Sequence, residues 1–174
     1  MKKQGILAFL IVLAFCVGAC ASSQHPSGPG GFTYTVQRDE TVNIQVPVPD
    51  TWPASFTTEP TASFVVKSPN EQILMLVTLV PLEINSDRLL DQVEKRFNAD
   101  NVGTTVRNIE GTVSGHKVRG IQAQKDGAEF NAFFLDMDRG VYLIVLYLGA
   151  TATESEREAA RFMFERLKIM EDDN

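Results

Sequence analysis

Between Thr104 and Leu148 the chain carries four successive runs of alternating or apolar residues separated by three tight-turn groups. The runs are Thr104 to Val113, His116 to Gln124, Glu129 to Asp136 and Val141 to Leu148, separated by Ser114-Gly115, Asp126-Gly127 and Asp138-Arg139-Gly140. Asp-Gly flanked by alternating residues is a strong hairpin signal, because a two-residue hairpin turn needs positive φ at both central positions. The segment therefore predicts a four-stranded antiparallel meander. Val141 to Leu148 is almost wholly apolar, and such a strand left exposed would aggregate, so it belongs in the middle of the sheet. A sheet of this kind needs other elements to cover it.

The flanking sequence supplies them. Phe32 to Gln37 and Val42 to Val46 alternate around a polar break, which reads as a hairpin. Val48-Pro49-Asp50-Thr51-Trp52-Pro53 reads as a turn, since proline lacks the donor that a central strand requires. Ala62 to Lys67 and Ile73 to Val80 follow as strands, the second apolar enough to be central and covered on both faces. Asn85 to Phe97 changes period, with Leu89, Leu90, Val93 and Phe97 on one helical face and Ser86 as the predicted N-cap. Thr153-Glu154-Ser155-Glu156 is a capping box opening a second amphipathic helix through Ala159, Ala160, Met163, Phe164, Leu167 and Met170. Glu171-Asp172-Asp173 oppose the helix dipole and predict that the tail 171–174 frays. The expected fold class is α+β, an antiparallel sheet with helices packed on its faces, in the order ββββ-α-ββββ-α.

The amino terminus has a different character. Lys2 and Lys3 precede an uninterrupted apolar run from Ile6 to Val17, and Gly18 and Ala19 stand directly before Cys20. A basic n-region, an apolar h-region and small residues at the end make a secretory signal. Val17-Gly18-Ala19-Cys20 resembles the lipobox of bacterial lipoproteins. The resemblance implies cleavage before Cys20, diacylglycerol on its sulfur and attachment to the membrane through that lipid. Residues 1–19, with Cys16, would then leave as the signal peptide. The mature chain would keep 155 of the 174 residues, one domain's worth, and no cysteine but the lipidated one. Losing the two lysines moves the formal charge from −6 to −8, which argues against nucleic acid and against a polybasic membrane-binding surface. Residues 20–31, rich in Ser, Gly and Pro, read as the lipidated cysteine and a flexible tether, leaving 32–170 as a single globular domain. Ala21 stands where Asp would retain an enteric-type lipoprotein in the inner membrane, so the resemblance implies the periplasmic face of the outer membrane.

The element order, with Val48-Pro49-Asp50-Thr51-Trp52 after the second strand, Ser114-Gly115 before a long strand, Gly140-Val141-Tyr142 and a closing Phe164-Glu165-Arg166-Leu167 helix, resembles the PsbP-like α/β/α sandwich. With a lipobox in front, it is similar to the DcrB-like bacterial lipoproteins. That family has no shared catalytic residues, so the resemblance implies architecture and envelope location only.

Chemistry-bearing patterns are sparse. His25 lies in the tether, and His116 follows a predicted Ser-Gly turn, where it reads as a solvated strand residue. No serine sits in a Gly-x-Ser-x-Gly elbow. Asp136 and Asp138, with Glu129 or Asp126, fall short of the six to eight oxygens of a Ca²⁺ site, and the Cys and His clusters that Zn²⁺ wants are missing. Gly28, Gly30 and Gly31 follow no strand and open no helix, unlike a phosphate-binding loop. Trp52 either plugs the end of the core or stands exposed as a partner-binding residue. Met163 and Met170 read as core filling. The sequence thus predicts no enzyme, no cofactor and no metal. It predicts an envelope lipoprotein that binds a protein partner, the alternative being a carrier of lipid or a small molecule in a pocket between sheet and helix.

Overall fold

A computed structural model of the chain describes residues 28–58, 61–80, 85–100 and 105–170. The predicted signal peptide, Cys20, the tether as far as residue 27 and the acidic tail 171–174 lie outside the described residues. Ten strands and two helices are described: β1 (Tyr34–Asp39), β2 (Ile44–Pro49), β3 (Ala54–Thr57), β4 (Ser63–Lys67), β5 (Ile73–Val80), α1 (Ser86–Asp100), β6 (Thr105–Val113), β7 (His116–Lys125), β8 (Ala128–Met137), β9 (Gly140–Leu148), α2 (Glu154–Arg166) and β10 (Lys168–Ile169). The order is therefore βββββ-α-ββββ-α-β, which corrects the expected one by adding β3 and β10. A seven-stranded sheet runs β3-β4-β5-β9-β8-β7-β6, and a smaller sheet runs β1-β2-β10.

The meander β6 to β9 forms as its turn chemistry requires. Ser114, Gly115, Asp126 and Gly127 all have positive φ, the two-residue hairpin geometry that lets strands keep their right-handed twist. β9 lies between β5 and β8, the middle position that its apolar run demands. Alternation then sorts the side chains. Tyr142, Ile144, Leu146 and Leu148 point to one face with Ile73, Met75 and Val77 of β5, and are buried there with Val42, with Ile44, Val46 and Val48 of β2 and with Ala159, Ala160 and Met163 of α2. Val141 and Val145 point to the other face, which Leu89, Leu90 and Val93 of α1 cover. The Tyr142 hydroxyl donates to the Val42 carbonyl at 2.8 Å, tying the large sheet to the β1–β2 loop through the core.

Three local expectations are corrected. β2 continues through Pro47 and Pro49 instead of turning at Val48. Asp50 N–H donates to the Thr33 carbonyl across the β1 side, so by alternation the nitrogens of residues 45, 47 and 49 face away from β1. β10 reaches only Gln45 and Ile44 on that side, and the prolines sit beyond it, where no donor is required. α2 ends at Arg166 instead of Met170, because Lys168 and Ile169 pair with β2 and Met170 N–H donates to the Asn43 carbonyl at 2.8 Å. The N-cap of α1 is Asn85, whose Oδ1 accepts from Arg88 N–H at 3.0 Å, while Ser86 gives its N–H and hydroxyl to Asp136. The capping box of α2 forms as read, with Thr153 and Glu156 each accepting from the other's backbone N–H.

Candidate functional site

Trp52 is 4% exposed and meets Phe32 edge-on at 5.6 Å between ring centroids. The hydrogen bond from Trp52 N–H to the Pro49 carbonyl folds the turn so that the ring closes the end of the main core. The structure places it as a plug and not as an exposed anchor for a partner. His116 opens β7 opposite Val113. Asp136 is engaged by Ser86, whereas Glu129, seven residues earlier on the same strand, points to the opposite face, so the two carboxylates do not converge. Among the described residues no group of three or more His, Cys, Asp or Glu could hold a metal ion.

The polar chemistry collects instead on the β6–β7–β8 half of the large sheet. Arg107, Gln122 and Asn131 stand directly opposite one another across the three strands. They point to the face that carries the main core, yet they form a ladder of hydrogen bonds. Gln122 Oε1 accepts from Arg107 Nε at 2.5 Å, and its Nε2 donates to Asn131 Oδ1 at 2.9 Å and to Glu129 Oε1 at 2.8 Å. Glu129 also accepts from Asn131 at 2.7 Å and from Gln124 at 3.3 Å. Gln122 and Asn131 are 8% and 6% exposed, and burying unpaired amides would cost about 1–3 kcal/mol each, so the ladder has to be complete. Sequence reasoning missed it. Its signal was Asn131 in phase with the apolar Phe133, Leu135 and Met137 of the same strand.

On the opposite face, beside α1, Glu110, Thr112, Lys117 and Arg119 line an open groove of about 570 Å³ floored by Gly111 and Val118. Glu110 stands opposite Arg119 and Thr112 opposite Lys117. Arg119 also reaches the first turn of α1, donating to Asp87 at 2.6 Å. The lining is charged, and its groups offer hydrogen bonds and ion pairs to a ligand surface. An apolar chain would gain little there.

Where the described chain begins, Pro29–Gly31 form a 3-10 turn against α2. Gly30 N–H donates to Glu158 at 3.1 Å, and a Cβ at Gly30 would lie 2.3 Å from the Ser155 carbonyl oxygen, so only glycine permits this approach. Tyr34 donates to the Pro29 carbonyl at 2.7 Å and stacks edge-on with Phe162. Burial, and secondarily the Glu158 carboxylate, push the Tyr34 phenol above its ordinary pKa. Residues 28–31, read from composition as the end of the tether, are part of the packed fold.

No family model matches this chain, and no curated protein does. Among solved structures, it is similar to cyanobacterial PsbP (CyanoP) from Synechocystis sp. PCC 6803, with a TM-score of 0.55 at 10% identity over 88% of this chain and 98% of that one. It also matches LpqN, a protein involved in cell envelope biogenesis of Mycobacterium tuberculosis, with a TM-score of 0.49 at 17% identity over 80% and 92% of the two chains.

Proposed function

We propose that this protein, whose fold is PsbP-like, is a non-catalytic lipoprotein of the cell envelope, anchored through Cys20, whose domain holds a protein partner near the membrane. The observation that carries this reading is the character of the surface on the β6–β7 strands. The groove there is open and lined by Glu110, Thr112, Lys117 and Arg119. A carrier of apolar ligands needs the reverse, an enclosed apolar cavity with few polar groups. The anchor supports the same reading. Ala21 to Ser27 lie between Cys20 and Gly28, the first described residue, and seven residues span at most about 25 Å. A domain confined to so thin a layer meets other envelope proteins at a raised effective concentration. Ala21 in place of Asp favours the outer membrane.

In-cell crosslinking followed by affinity capture tests the reading, run on the full chain and on Cys20→Ala. A specific protein recovered with the full chain, and lost when Cys20→Ala leaves the domain folded but off the membrane, is the expected result. Solvent-extractable lipid bound to the domain, with no protein above background, would replace this function with the carrier one.

A further inference from the structure

Thr105–Val113 pairs with β7 along its length, and among the described residues nothing pairs with its other side. It is the longest edge among the described residues. The other edges are shorter or blocked: β3 has four residues, β1 has six, and the open side of β2 carries Pro47 and Pro49. Proline on an edge is a usual protection against unwanted pairing, and β6 has none. The Ser114-Gly115 turn makes Val113 and His116 a hydrogen-bonded pair, so the odd-numbered residues of β6 bond to β7. The N–H and C=O groups of residues 106, 108, 110 and 112 therefore point outward.

The side chains on this edge are also uncommitted. Arg107 spends its Nε on Gln122, and its terminal nitrogens have no partner among the described residues. Glu110 has neither an ion pair nor a hydrogen bond among them, and it lines the groove. The two lie three residues apart on opposite faces, with Ile109, packed partly buried against the main core, between them. We infer that the partner docks on the outer edge of β6, adding an extended segment to the large sheet as a further antiparallel strand. Every pairing already in that sheet is antiparallel. The segment carries a basic residue opposite Glu110, an apolar residue opposite Ile109 and an acidic residue opposite Arg107, in that order along its chain. Backbone bonds supply the affinity, and the cross-strand charge pairs select the partner. This rests on the partner-holding function proposed above and names the chemistry of the segment held.

The test uses the full chain in detergent and a fluorescent peptide of Thr and Val with Lys-Val-Thr-Glu at its centre. Saturable binding is expected, about tenfold weaker when Lys and Glu are exchanged, and abolished by N-methylation of alternate peptide amides. Asn108→Pro should lose binding while Asn108→Ala keeps it, because residue 108 donates outward and the change removes no bond to β7. Equal binding of the N-methylated peptide, or unchanged binding by Asn108→Pro, overturns the inference. A photo-crosslinker placed in cells at Asn108 or at Val36 of β1 separates this from the broader proposal. Capture of the partner at Asn108 supports the edge, and capture only at Val36 overturns the edge while leaving the partner-holding function. Failure to capture any protein from either position or by general crosslinking overturns both.

Discussion

Single residues here act mostly through burial. Trp52 could be read two ways from sequence, because a tryptophan between prolines serves equally as a plug or as a handle, and only the position of Phe32 decides. With the ring inside the core, Trp52→Ala should destabilise the domain by about 3–5 kcal/mol, the range for deleting a large buried aromatic; urea unfolding measures it. Tyr34 makes a pH-dependent contribution. Its phenol is held above the ordinary value by burial first and Glu158 second, so the unfolded chain ionises before the folded one as pH rises. That contribution is complete below the unfolded-state pKa and is lost as pH climbs through the folded-state value. The alkaline fall in unfolding midpoint should be shallower in Tyr34→Phe than in the natural chain. The Gln122–Asn131 ladder escaped the sequence reading because an amide on a strand looks solvent-facing until its neighbours fix the phase of the face.

At the scale of elements, what was legible were segments with a long period or a diagnostic turn. The meander followed from Asp126-Gly127 and Ser114-Gly115, and α2 from its capping box. β3 and β10, of four and two residues, were not legible, because so short a stretch becomes a strand only by what pairs with it. The end of α2 failed for the same reason: Leu167 and Met170 keep helical spacing, yet the free side of β2 draws Lys168 and Ile169 into a sheet. Val48-Pro49-Asp50-Thr51-Trp52-Pro53 reads as a turn because proline lacks a ladder donor, a rule that holds for a central strand and not for β2, whose prolines face an open side. Restoring donors there has a measurable consequence. Pro47→Val with Pro49→Val should leave the fold intact but promote self-association, seen as concentration-dependent mass in light scattering; a strictly monomeric double variant would contradict the edge-protection account.

For the whole molecule, two clusters on opposite faces of one sheet and no cysteine after Cys20 mean that packing alone stabilises the domain. Residues 28–174 expressed alone should unfold at the same temperature with and without dithiothreitol, and a reductant-dependent midpoint would contradict stabilisation by packing alone. The class, α+β around an antiparallel sheet, could be read before the structure because apolar runs such as Val141 to Leu148 leave few places to hide. The proposed partner surface could not, since it depends on which strand ends at an edge and which charges remain unpaired there. In the proposed function an acylated Cys20 tethers a domain that works by holding a protein. Native mass spectrometry of the full-length protein, released gently from its membrane, tests it most directly. The expected result is a chain that begins at an acylated Cys20 in complex with a second protein, with no further lipid bound; a free thiol on Cys20, or a single chain carrying a non-covalent lipid and no protein, would contradict it.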